Sequence, residues 1–138
     1  MWAAAKAGHA DVCKLLMDPE VAGIEFRARA NNSDSLALWA AAREGHADVC
    51  KLLMDPAVAG LEYRARANAS DSWALCEAAK EGHADVWKLL MDPEVAGIEF
   101  RARANHINSR ALGAAAKAGH ADVCKLLMDS DAAGTEYS

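Results

Sequence analysis

The chain has no run of 18 apolar residues, so nothing in it reads as a membrane-spanning helix. Its opening, Met1-Trp2-Ala3-Ala4-Ala5-Lys6-Ala7-Gly8-His9, lacks the apolar length and cleavage site of a secretion leader. Excess positive charge is missing too: the formal net charge of −5 argues against general nucleic-acid binding. No glycine-rich phosphate loop and no carboxylate constellation is present, which removes the common routes to phosphoryl transfer or acid–base catalysis. What remains is a chain of 138 residues, 53% apolar and 25% charged, a globular rather than a disordered balance.

That chain repeats itself. Gly-His-Ala occurs at Gly8-His9-Ala10, Gly45-His46-Ala47, Gly82-His83-Ala84 and Gly119-His120-Ala121, so the histidines recur every 37 residues. Asp48 to Pro56 differs from its copy at Asp85 to Pro93 only at Trp87. A fixed period of this size is the mark of a stacked array. The approximate units are 1–34, 35–71, 72–108 and 109–138, forming one array over residues 1–138.

The second unit shows the grammar. Asp34 or Ser35 can cap a helix start by accepting backbone N–H bonds. The alanine-rich segment from Leu36 to Glu44 then favours helix, and Gly45 suits the left-handed residue that ends it. His46 opens a second helix with Asp48 in its first turn, where negative charge complements the helix dipole. Val49, Leu52 and Leu53 give that helix its apolar face. Asp55-Pro56 predicts a cap and one more helical turn to Ala59, closed by Gly60. Leu61, Tyr63, Ala65 and Ala67 alternate with Glu62, Arg64 and Arg66, which predicts an extended arm. Asn68 to Ser72 is a polar turn into the next helix. One such unit cannot fold alone. Ordering each residue costs about 1–2 kcal/mol of backbone entropy, so contacts with neighbouring units must supply the difference.

The stretch from Ala41 to Leu53, Ala-Ala-Arg-Glu-Gly-His-Ala-Asp-Val-Cys-Lys-Leu-Leu, resembles the helix–turn–helix of the ankyrin repeat. The likeness recurs four times and covers essentially the whole chain. It implies an all-α solenoid of stacked antiparallel helix pairs, with projecting extended arms and a concave binding face. Two features depart from the family. Its Thr-Pro-Leu-His opening is replaced by Leu36-Ala37-Leu38-Trp39, Trp73-Ala74-Leu75-Cys76 and Arg110-Ala111-Leu112-Gly113, so Ser and Asp caps are expected to take over its hydrogen bonds between units. The period also exceeds the usual 33 by four residues around Asp-Pro-x-Val-Ala-Gly, as in long-loop ankyrin variants.

Differences between copies indicate candidate contacts. Leu36, Trp73 and Arg110 share a column, as do Asn32, Ala69 and His106, and Ser33, Ser70 and Ile107. By the resemblance these columns lie at the arm tip and first-helix start, where family members touch partners. Drift in exposed turns would produce the same variation. Trp73, His106, Ile107 and Arg110 are the favoured anchors, since aromatic residues and arginine dominate interfaces. Arg27/Arg29, Arg64/Arg66 and Arg101/Arg103 recur once per unit. Alternate residues of an extended arm point one way, so a guanidinium ladder for acidic or phosphate groups is one expectation. Solvated pairing with Glu25, Glu62 and Glu99 is the other.

Other columns read as structural. Trp39/Cys50 becomes Cys76/Trp87 in the next unit, a large–small pair inverted, which predicts a volume-conserving exchange across the hairpin. Gly113/Cys124 then predicts a gap or a shallow pocket in the fourth unit. His46 and Cys50 stand at the i, i+4 spacing that two zinc ligands can share, but each unit supplies only two donors and Trp87 removes one pair. A catalytic Cys–His pair would need an orienting group and a unique cleft. Neighbouring helices lie about 8–10 Å apart, beyond the roughly 7 Å a disulfide allows, so the cysteines are expected to be reduced thiols in a cytoplasmic protein. Ala132 and Thr135 reduce apolar bulk, as a terminal cap needs. Met1-Trp2 starts within the first helix, which predicts an apolar front edge and self-association, and suits an excised fragment or an engineered array. The expectation is a non-enzymatic protein-interaction scaffold needing no cofactor and no metal. The alternatives are a structural or engineered solenoid without a dedicated ligand and, more weakly supported, a metal- or thiol-based redox protein.

Overall fold

The computed structural model describes residues 1–23, 27–97, 99 and 108–133, excluding the side chains at 70, 71, 108–112, 127 and 129–133. Every unit places a first helix against a second: α1 (Trp2–Ala7) with α2 (Ala10–Met17), α4 (Asn32–Glu44) with α5 (Ala47–Met54), α7 (Ala69–Glu81) with α8 (Ala84–Met91), and α10 (Asn108–Ala118) with α11 (Ala121–Ala133). Three single-turn helices follow the second helices: α3 (Pro19–Ala22), α6 (Pro56–Ala59) and α9 (Pro93–Ala96). First helices pack on first helices along the array, and second on second. Among the described residues there is no strand.

The local signals act as their chemistry requires. At Gly45 φ is 81°, a left-handed conformation that costs an L-residue about 1–2 kcal/mol, and there α4 stops. Asp55 caps the single turn by accepting from the Ala57 N–H at 2.9 Å, with Pro56 in the first position. The fourth unit has Ser130 in the proline column, and without that ring α11 runs on through Ala133. Alanines at 37, 41, 42, 74, 78 and 79 are buried between first helices, where small side chains permit close approach. Val49, Leu53, Val86 and Leu90 are fully buried between second helices, each contributing about 1.5–3 kcal/mol.

The arm differs from its expected form. Residues 61–63 turn, 64–66 are irregular, and 67–68 turn again. The alternation fails with them: Leu61 is 76% exposed while Arg64 is 9% exposed. Backbone pairing explains the path, since the Ala65 N–H donates to the Leu53 carbonyl at 2.7 Å and the Asn31 N–H of the preceding arm donates to the Tyr63 carbonyl at 3.0 Å. Those bonds tie the arm to the end of α5 and to its neighbour.

Candidate partner-binding surface

The junctions of unit one with two and of unit two with three are each closed by two basic side chains reaching in opposite directions. His83 reaches back one unit, and its Nε2 donates to the Arg43 carbonyl at 3.0 Å. His46 does the same to the Lys6 carbonyl at 2.9 Å. These carbonyls lie in the last turns of α4 and α1, where helix oxygens have no partner of their own. The imidazole fits because the facing residue is glycine. A Cβ at Gly45 would stand 2.5 Å from the His83 ring, and one at Gly8 2.7 Å from the His46 ring.

Arginine reaches forward. Arg27 Nη2 donates to the Ala59 carbonyl at 2.7 Å, and Arg64 Nη2 to the Val95 carbonyl at 3.1 Å, near the ends of α6 and α9. Again the guanidinium lies over a glycine, Gly60 or Gly97. This corrects the guanidinium ladder. Arg27 and Arg64 turn inward as braces, whereas Arg29 and Arg66 stay exposed, Arg29 lying over the Tyr63 ring at 4.5 Å. Arg101 and Arg103 lie outside the described residues.

Of the expected Ser and Asp caps, serine does bond between units, but not as a cap on its own helix. The α4 start has no side-chain cap bond; Ser35 Oγ instead accepts the Arg66 N–H of the next unit at 3.0 Å. Asn31 and Asn68 add links to the Glu62 and Glu99 carbonyls at 3.2 and 3.3 Å. So histidine, arginine and asparagine join the units, with Ser35 acting across the junction rather than on its own helix. The recurring Gly-His and Asp-Pro-x-Val-Ala-Gly columns carried this signal, but no local rule ties a glycine to a ring in the following unit.

The Ser35 bond holds an unusual turn. Ser33, Asp34 and Ser35 all have left-handed backbones, with φ of 53°, 55° and 61°, and Ser72 repeats this at 61°. Such geometry costs L-residues about 1–3 kcal/mol each and persists only where surroundings enforce it. The turn walls a cavity of about 220 Å³ between α4 and α7, lined also by Leu36, Leu38, Trp39, Arg66, Trp73 and Ala74. Trp39 and Trp73 meet at 5.6 Å between ring centres with planes tilted 56°, a favourable aromatic geometry. Leu36 and Trp73 are 40% and 53% exposed.

The candidate contacts therefore divide. Leu36, Trp73 and Arg66 come together at one cavity, Arg64 is withdrawn into a junction, and Arg110 lies in α10 with its side chain outside the described residues. His106 and Ile107 also lie outside them. The size exchange between Trp39/Cys50 and Cys76/Trp87 gives way to different surroundings for the two rings. Trp39 is half-buried against Trp73 and the Arg43 guanidinium, while Trp87 is 4% exposed in the core. The ring that meets Trp39 comes from the first helix of the next unit, and the cation over it from its own helix. In the fourth unit a shallow hollow includes Cys124 but not Gly113.

All four cysteines are free thiols. Burial, reinforced by the charges of Asp48 and Asp85, pushes the Cys50 thiol far above its ordinary range, the opposite of what a nucleophile needs. The Nε2 of His46 is engaged by the Lys6 carbonyl, and among the described residues no three His, Cys, Asp or Glu side chains converge on a metal position.

Recurring helix pairs, joined at the first two junctions by the same reciprocal braces, define a helical repeat solenoid. More narrowly, residues 1–67 match the family model described as ankyrin repeats in three copies, and the helix pair continues beyond them, so the chain has an all-α ankyrin-type repeat fold. No curated protein and no solved structure gave a match. Ankyrin repeats are generally protein-interaction modules and non-enzymatic scaffolds. No helix among the described residues is long and apolar enough to cross a membrane.

Proposed function

We propose that this array binds a protein partner through the first-helix surface between its second and third units, with an apolar partner side chain seated in the cavity walled by Leu36, Trp39 and Trp73. One observation carries the reading: two exposed, copy-variable apolar residues from adjacent units line the same concavity. A repeat junction in the array interior normally closes its apolar surface, so an aromatic pair left open there fits an interface anchor. The arm tips flank the site.

Affinity capture with the 138-residue protein tests this, with partners identified by mass spectrometry. A captured protein should be lost with Trp73→Ala and with Leu36→Ser, yet retained by Leu61→Ser, a more exposed leucine outside the cavity. Equal retention by all three variants would defeat the reading and favour a solenoid without a ligand at this surface.

A further inference from the structure

Leu36, Trp39 and Arg43 fall on one line of α4, at the i, i+3, i+7 spacing of a helix face. In every unit the last position of that line is a cation: Lys6 on α1, Arg43 on α4, Lys80 on α7 and Lys117 on α10, all four exposed. The interior copies, Arg43 and Lys80, are exposed like the outer two, so this surface belongs to the side of the stack and not to its ends. Among the described residues none of the four makes an ion pair; Lys6 and Arg43 lie over the Trp2 and Trp39 rings at 5.1 and 5.5 Å.

The second helices supply a comparison. They carry an equally regular exposed column, Lys14, Lys51, Lys88 and Lys125. There each lysine follows an aspartate by three positions, at Asp11, Asp48, Asp85 and Asp122, and charges at that spacing share a helix face and offset one another. The first helices lack this arrangement. Ala3, Ala40 and Ala114 hold the corresponding positions, and where Glu77 precedes Lys80 its carboxylate accepts the Trp73 indole N–H at 3.2 Å. Glu44 and Glu81 come one position after Arg43 and Lys80, about 100° further round the helix. Attraction to a helix C-terminus favours a cation in both rows alike, so it does not account for the difference between them.

Resting on the cavity reading above, we propose that the partner segment is acidic and extended. It crosses the first helices with its apolar side chain in the Trp39–Trp73 cavity and its carboxylates on the row from Lys6 to Lys117. Arg43 joins the two features, since its guanidinium covers the ring that walls the cavity. Within the cavity Asp34 and Arg66 offset each other, so the apolar anchor meets no excess of either sign. Packed helices lie about 8–10 Å apart, which spreads the four cations over about 25–30 Å. An extended chain rises about 3.3 Å per residue and matches that interval with an acid at every third position. A nucleic-acid strand, with a phosphate about every 3.4 Å, would leave most of its charge unmet, and the net charge of −5 opposes it elsewhere.

Selection from a random dodecapeptide library displayed on phage, with the 138-residue protein as bait, tests this. Enriched peptides should combine one large apolar residue with acids at three-residue intervals. Measured by fluorescence anisotropy on synthetic copies, their Kd should rise at least about tenfold with Arg43→Glu/Lys80→Glu. Lys51→Glu/Lys88→Glu changes the net charge equally and should alter Kd by less than about twofold. Circular dichroism checks that both variants are folded. Enrichment of peptides without acids, no enrichment at all, or equal losses in the two variants overturns the proposal. So does an oligothymidine strand that binds more tightly than the peptides. Acidic peptides weakened by Arg43→Glu/Lys80→Glu yet unaffected by Trp73→Ala support the cation row and overturn the cavity reading. Apolar peptides lost with Trp73→Ala alone do the reverse.

Discussion

The glycine–histidine seat at the junction of units two and three can be tested by substituting Gly45 with alanine. Two costs follow from the geometry. Gly45 has φ 81°, and an L-residue there costs about 1–2 kcal/mol. The new methyl would also stand 2.5 Å from the His83 ring, so the ring must leave and the bond from Nε2 to the Arg43 carbonyl breaks. That adds about 0.5–1.5 kcal/mol for the bond and more where the carbonyl stays dry. Gly45→Ala should therefore cost about 2–4 kcal/mol. His83→Ala removes the ring beforehand, and in that background the glycine substitution should cost only its backbone share of about 1–2 kcal/mol. The two effects should thus be sub-additive by about 1–2 kcal/mol in a double-mutant cycle, measured by urea unfolding with the slope checked for constancy. Agreement with additivity within about 0.5 kcal/mol would show that the ring and the glycine do not share a seat, and the account of the junction would fall.

Two further outcomes follow from the braces and the buried thiols. Arg64→Ala should lower stability by about 2 kcal/mol, because it removes a charge-assisted bond to the Val95 carbonyl, whereas Arg66→Ala on the exposed side of the same arm should cost under about 1 kcal/mol; equal losses in chemical unfolding would contradict the inward assignment of Arg64. Burial raises the folded-state pKa of Cys13 and Cys50 above the ordinary 9.0, so both thiols keep their protons in the fold after the unfolded chain has begun to lose them. Stability linked to them should be complete below about pH 8 and then fall as pH rises toward the folded-state values, by up to about 1.4 kcal/mol per pH unit for each thiol. A Cys50→Ala variant should show a shallower alkaline decline in unfolding free energy, and an unchanged slope would refute the linkage.

The 37-residue period, the helix pairs, the glycine stops and the Asp-Pro turns are properties of neighbouring residues along the chain, so the amino-acid order alone makes them legible. Asp55, Pro56 and Gly60 define α6 through capping, a preset φ and a left-handed end, all decided within six positions. The arm is not legible in the same way. Alternating apolar and polar residues at 61–67 read as extended, yet their backbone partners are Leu53 and the preceding arm, and those bonds bend the segment. Leu36 and Trp73 stand out as variable columns, but only packing of α4 against α7 brings them to one cavity with Trp39.

The sequence by itself determined the unit and its repetition, because capping, helix propensity and φ preference act over a few residues. Tertiary structure decided which face each arginine and histidine would serve. Arg64 and Arg66 are two positions apart on one arm and equally charged, yet one closes a junction and the other remains at the surface. The difference lies in the next unit, where a terminal helix carbonyl and a glycine without a side chain leave room for a single guanidinium.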